Sequence, residues 1–363
     1  MLFLILIVVF SLVLLITLHE FGHFILAKKF GVKVEEFGLG IPPRIFGKKF
    51  GETIYSINLL PIGAFVKLYG EEKQIKEPRS FSGKPVWQRV LIVLGGVVSF
   101  WIISAIILSI IAGVWGLPVS VNDEGNHNLI NPKVQITQIS LQSPAAIAGL
   151  KIGDIIKELK FENESFKTDK IKEVQDFTNL HKGKEITLII QRGKDVLEIT
   201  LVPRVFPPEE EGPMGVALVR TALKPYSWYE APIQGILVTG KTTAGIVLVF
   251  GEIISKAIKG VPLPPGLVEV RGPIGITQMA TQALERGINE YLWLMAFISI
   301  FLAIFNILPL PALDGGKLLF LGIEKVRGKP VNQKIEQNAT AIFFILLIAF
   351  MIFITVKDIA RFF

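Results

Sequence analysis

The chain has 363 residues, with 38 Lys or Arg against 31 Asp or Glu and a formal net charge of +7. Half of it (51%) is hydrophobic, 19% is charged and the mean hydropathy is +0.54, which excludes a disordered chain and argues against a purely soluble globule. With no Cys there is no disulfide framework, no Cys-based metal site and no thiol nucleophile. Only four His exist, His19, His23, His127 and His181.

Four apolar stretches are long enough, or nearly so, to cross a bilayer. They are Leu2 to Ala27, interrupted only by Glu20; the uncharged stretch between Arg89 and Asp123; Tyr291 to Leu313; and Ala339 to Val356. Lys28-Lys29 follows the first apolar run instead of preceding it, and no A-x-A site is present, so the start reads as a span and not as a secretory signal. Pro232 to Ser255 carries Lys241 and Glu252 and reads as an amphipathic, interfacial helix. The expected architecture is an α-helical multi-pass membrane protein of about four spans. Residues 28–89 hold 12 Lys/Arg against 6 acids and residues 317–336 hold 5 against 2, whereas 122–290 is balanced, 19 against 20. Four spans place the two basic loops together on the cytoplasmic side and put 122–290 on the other.

Between the spans lie two soluble regions. Residues 31–85 are β-rich, with Gly38-Leu39-Gly40, Pro42-Pro43 and strand-like stretches at Thr53–Leu59 and Ala64–Tyr69. No βαβ context follows, so the Gly-x-Gly is not a dinucleotide fingerprint. Residues 133–203 read as a small α/β domain within a 122–210 segment. It has a strand at Val134–Ile139, a short Ser-capped helix at Ser143–Gly149, a turn at Gly153-Asp154 and a hairpin about Arg192-Gly193-Lys194. Pro207 to Pro213 is a linker by composition, and 211–290 is read as amphipathic. No basic stripe points to nucleic acid; the positive charge is accounted for by topology.

The chemistry sits at two span ends. His19-Glu20-Phe21-Gly22-His23 puts two imidazoles at i and i+4, on one helix face, with Glu20 beside them: the H-E-x-x-H arrangement of zinc hydrolases. Ionisable groups in an otherwise uncharged span are costly and point to function. A catalytic zinc takes three protein ligands and leaves one position open. His127 and His181 fall on the opposite side, so the third ligand is expected to be a carboxylate, and Asp314, at the cytoplasmic end of the third span, is the candidate. Pro309 and Pro311 break that span before Asp314. Irregular backbone at this depth is tolerated only against protein or water, which implies access to the metal. The Asn306 amide could hold a substrate carbonyl or oxyanion, or make an interhelical hydrogen bond.

Taken together, these residues resemble the site-2 protease family of intramembrane zinc metalloproteases, in particular its bacterial members that carry a PDZ domain. The resemblance rests on His19 to His23 and on Asn306 to Gly315. It extends to Gly51–Lys67, Phe81–Trp87 and Gly272–Ile276. It implies zinc held by His19, His23 and Asp314, Glu20 as general base, and Asn306 assisting catalysis. Residues Gly38–Tyr69 would form a membrane-re-entrant β element that pairs with the unwound substrate, at an edge around Ile54–Leu59 or Ala64–Leu68. Residues 133–203 would be a single extracytoplasmic PDZ domain. The implied partners are the lipid bilayer and single-span membrane proteins, such as anti-sigma-factor-like proteins or signal-peptide remnants. Where the family often has Ala-Gly-Pro and then Asn in the second span, this chain has Gly95-Gly96-Val97-Val98-Ser99-Phe100. The rival expectation is a catalytically inactive membrane scaffold presenting a PDZ domain.

Overall fold

The computed structural model describes residues 2–71, 73, 75–124, 129–162, 164–193, 195–208, 211–261 and 271–360. The chain starts with helix α1 (Leu2–Lys29), strands β1 (Val34–Phe50) and β2 (Thr53–Leu68), and helix α2 (Val86–Val114). It continues through β3 (Leu117–Ser120), β4 (Ile130–Ile139), α3 (Pro144–Ile147), β5 (Ile155–Phe161), β6 (Glu164–Lys167), α4 (Ile171–Leu180), β7 (Ile186–Arg192), β8 (Asp195–Leu201) and β9 (Val216–Lys224). Five helices follow: α5 (Ala231–Ile258), α6 (Pro273–Arg286), α7 (Ile288–Ile307), α8 (Asp314–Arg327) and α9 (Gln333–Ala360). Two compact units result, Met1–Ile110 with Pro232–Phe363, and Ile111–Ala231.

In the first unit, α1, α2, α5, α7 and α9 are each long and apolar enough to cross a membrane. Such a helix satisfies its own backbone, as hydrocarbon requires. The apolar stretches of α2 and α7 are 33% and 39% buried, against 11% for α5 and 6% for α9, so α2 and α7 form the interior and the other two are peripheral. Val8 and Leu15 of α1 meet Val97 and Phe100 of α2, Ala280 of α6, and Met295 and Ala303 of α7 in one apolar cluster. A second cluster joins Ala27, Val34, Leu68, Ile92 and Leu321. The stretch at 232–255, expected to be interfacial, is a continuous 28-residue helix that meets the length and composition of a span. Glu252 pairs with Lys256 at 2.6 Å one turn on, so its charge does not break the helix.

The β-rich region is more than a hairpin. Residues 34–39 of β1 pair on one side with 64–68 and on the other with 54–57, while 44–50 pair with 53–58. The two long strands thus fold back into four short rungs, ordered 64–68, 34–39, 53–58, 44–50. Asn58 holds the fold-back: its buried amide donates to the carbonyls of Leu39 and Gly40 at 3.1 and 3.2 Å. Glu36 ties three rungs by accepting from Ser56 at 2.6 Å and pairing with Arg44. Of the two stretches considered as a capture edge, Ile54–Leu59 is therefore mostly an inner rung, and Ala64–Leu68 is an edge. Around 44–50 the side chains of Ile45, Phe46 and Phe50 are exposed.

The second unit is a seven-stranded sheet ordered β3-β9-β4-β5-β7-β8, with β6 on β5. Val134, Ile136, Ile156, Leu159, Ile186, Leu188 and Ile190 fill its core against Ala145 and Val174 of the two helices. Ser143 caps α3 through its hydroxyl, as its position suggests. The sheet extends beyond 133–203. The stretch from 211, expected to be linker and amphipathic, includes β9, whose Val216–Lys224 runs along β4 and β3. Backbone pairing to distant strands, which local composition does not report, placed it there.

Candidate active site

His19 and His23 project from one face of α1 near its C-terminal end, and both are buried, each 7% exposed. Asp314, 8% exposed, is the first residue of α8, so Gly315-Gly316 open a helix and do not form a loop. The break at Leu308–Leu313, which contains Pro309 and Pro311, lets the chain turn from α7 into α8. The Thr340 hydroxyl of α9 pins it at the Pro311 carbonyl, 3.1 Å away.

The three side chains converge. The Nε2 atoms of His19 and His23 lie 3.2 Å apart, and Asp314 Oδ2 lies 3.3 Å from each. A tetrahedral zinc with bonds of about 2.0–2.1 Å has ligand atoms about 3.3 Å apart. The triangle therefore has the size, and the two-imidazole, one-carboxylate donor set the chemistry, to hold that ion. Among the described residues this is the one such cluster of three or more His, Asp or Glu ligand atoms. His181 Nδ1 instead donates to the Phe177 carbonyl one turn back, at 2.8 Å, and His127 lies outside the described residues.

The support around the cluster comes largely from α2. His23 Nδ1 lies 2.9 Å from the Ile92 carbonyl, a hydrogen bond that fixes the ring and directs Nε2 inward. The His19 ring stacks on Phe100, centroids 4.5 Å apart and planes within 17°. Gly96 forms the cradle: a β-carbon there would stand 2.1 Å from His23 Nε2 and 2.7 Å from His19 Cε1. At Gly22 a β-carbon would stand 2.2 Å from the Gly95 carbonyl oxygen, so the α1 and α2 backbones touch. Sequence reasoning noted Gly96 and Phe100 only as part of a departure from the family pattern and gave them no role. The signal was present in the Gly95-Gly96 pair inside an apolar span, the kind of small-residue surface on which membrane helices pack closely.

Glu20 points to the sheet. Its Oε2 accepts a hydrogen bond from the Val66 amide of β2 at 3.0 Å. Asn306, on the last turn of α7, donates to the Leu302 carbonyl at 2.9 Å within its own helix. Lys317, one turn after Asp314, pairs with Glu71 and links α8 to the chain after β2.

Long apolar helices around a buried triad of two imidazoles and one carboxylate, beside a glutamate, describe a membrane-embedded metallohydrolase. The comparisons with known proteins agree. The profile of Peptidase family M50 matches residues 7–350, and the chain belongs to that family, the site-2 protease family. A Clostridium perfringens protein, named by inference as a zinc metalloprotease, is 34% identical over 353 residues, covering 95% of both chains. The Regulator of sigma-W protease RasP of Bacillus subtilis is 27% identical over 430 residues, covering 96% of both. A solved PDZ domain of the SdrC-like protein of Listeria monocytogenes matches 28% of this chain and 93% of its own, at 21% identity and a TM-score of 0.20.

Proposed function

We propose that the protein is an intramembrane zinc endopeptidase that hydrolyses peptide bonds within transmembrane segments. The observation that carries this is the triangle of 3.2, 3.3 and 3.3 Å formed by His19, His23 and Asp314 beside Glu20. His19, His23 and Asp314 hold the zinc. Bound there, zinc supplies Lewis acidity, making water acidic enough to attack at neutral pH and drawing charge from a peptide carbonyl. Glu20 takes the proton from the attacking water and passes it to the leaving amine. Asn306 has a second amide N–H beyond the one given to Leu302, and this donor holds the carbonyl oxygen as it gains charge.

The substrate is a single-span membrane protein whose helix has locally unwound, because a helical backbone is satisfied internally and offers no extended segment. It adds as a strand to the 64–68 edge, whose Val66 amide already lies against Glu20. Membrane regulators of the anti-sigma-factor kind and signal-peptide remnants have this form, and the sigma-W name of the Bacillus subtilis relative fits the first.

For the topology, α1 and α7 both deliver their C-terminal ends to the cluster and so run in the same direction. α2 meets His23 through Ile92 near its own start and runs the opposite way. The chain thus leaves α2 on the face where α7 begins, and residues 111–287 make no net crossing. α5 enters the bilayer without adding one. The excess of Lys and Arg in 28–89 and 317–336 supports a cytoplasmic position for the metal end of the bundle. The Ile111–Ala231 unit, read as a PDZ-type domain, then lies outside, where it screens substrates by the bulk of their ectodomains. Exposed Trp228 and Tyr229 just before α5 suit a membrane–water interface.

The test is zinc quantification on purified protein alongside chelator-reversible cleavage of a single-span reporter. Glu20→Gln keeps one zinc per chain and lowers cleavage by about 10²- to 10⁴-fold. Turnover near wild type in that variant would remove Glu20 from the base role, and absence of zinc from the wild-type protein would remove the metal.

A further inference from the structure

The 64–68 rung is bonded along one side to residues 34–39 and turns its other side toward α1. Backbone groups of a strand alternate in direction, and the Val66 amide donates outward, to Glu20 Oε2 at 3.0 Å. Ala64, two residues before and in regular register with Leu39, presents its amide to the same side. A peptide that adds to this edge needs these outward amides as donors for its own carbonyls. One N–H makes one well-aligned hydrogen bond, so Val66 cannot serve both the incoming carbonyl and Glu20 at full strength.

We propose that in the peptide-free protein the Val66 amide ties down the Glu20 carboxylate, and that an extended peptide adding to the 64–68 edge takes over this amide and frees Glu20. Strand capture and release of the base are then one event. This rests on the role given to Glu20 above. The tie is charge-assisted, which strengthens it beyond a neutral hydrogen bond. Only a backbone with unpaired carbonyls can exchange with it, since a helical span has already spent its carbonyls on its own amides. The selectivity that follows is for backbone state and not for side-chain sequence: an extended segment opens the site, and a helix passing the same edge does not.

The experiment uses two cleavage-dead forms of the full chain, zinc-loaded in lipid nanodiscs, and a fluorescent single-span peptide with a central Gly-Pro pair. In Glu20→Gln the carboxamide oxygen can still accept from Val66; in Glu20→Ala nothing can. The Ala form is expected to bind the peptide about fivefold more tightly, the fold-change of one neutral hydrogen bond. Val66→Pro removes the amide at an edge position where the ladder does not use it. In that background the difference between the Ala and Gln forms closes to within error. Equal affinities of the two single variants overturn the proposal without reference to Val66→Pro. A difference that persists in zinc-replete Val66→Pro protein also overturns it. Failure of the underlying catalytic role shows separately, as cleavage of the same peptide by Glu20→Gln.

Discussion

Gly96 contributes to the metal cluster by having no side chain. Its α-carbon lies under both imidazoles, and a methyl group there would overlap His23 Nε2. Gly96→Ala is expected to displace one or both rings and lower zinc affinity by about 10- to 100-fold, the range seen when groups that orient metal ligands are lost. Competition against a chelator of known affinity measures this, and unchanged affinity would mean that the rings have room the structure does not show. The proposed ligands were open to sequence reasoning, because an i, i+4 pair of His fixes a shared face whatever the rest of the fold does. Asp314 was reached by elimination. The groups that support the two imidazoles were not, since Ile92 contributes a carbonyl, Phe100 a ring face and Gly96 an empty space, none of which marks a residue type as functional.

Among the elements, the β-rich region shows what a linear reading misses. Strand character at 53–59 and 64–69 was evident, but their order in the sheet depends on residues 34–39 of β1 lying between the two halves of β2. That is decided by Asn58 and Glu36 reaching across the fold, not by local pattern. In the second unit the loop before β5 is fixed to β7. Buried Asp154 accepts from the Lys151 amide at 2.8 Å and from Arg192 at 2.8 and 2.7 Å. Burial alone would raise its pKa, but the Arg192 guanidinium prevails and holds it below the usual value of 3.8. A carboxylate depressed in the folded state stabilises above its unfolded pKa and loses that contribution as pH falls through the folded value. Asp154→Asn is therefore expected to destabilise this unit by about 2 kcal/mol at pH 7. The deficit disappears at pH values well below 3.8, where the wild type has lost the same interaction. Limited proteolysis of the full chain across 111–231 at graded pH reads both effects; a deficit independent of pH would mean that charge is not its source.

For the molecule as a whole, the absence of Cys makes topology directly measurable. Single Cys substitutions at Lys182 and Arg286 are expected to react with an impermeant maleimide from outside the cell, and those at Lys49 and Lys329 only after the membrane is opened. Labelling of 182 and 286 from opposite sides would make α5 a full crossing. Replacing residues 117–224 with a short linker is expected to preserve bound zinc and to extend cleavage to proteins with large ectodomains. Loss of all cleavage with zinc intact would show that the unit does more than screen.

The touching backbones at Gly22 and Gly95 bear on how the protein yields to heat. With no side chains between them, α1 and α2 fluctuate together, and the imidazoles of one and the glycine cradle of the other keep their relative places. α5 makes a similar approach to α2, since a β-carbon at Gly235 would stand 2.4 Å from the Ala105 carbonyl oxygen, whereas α9 buries little against the rest. On warming, α9 loosens before α1 and α2, and the pocket between those two outlasts it.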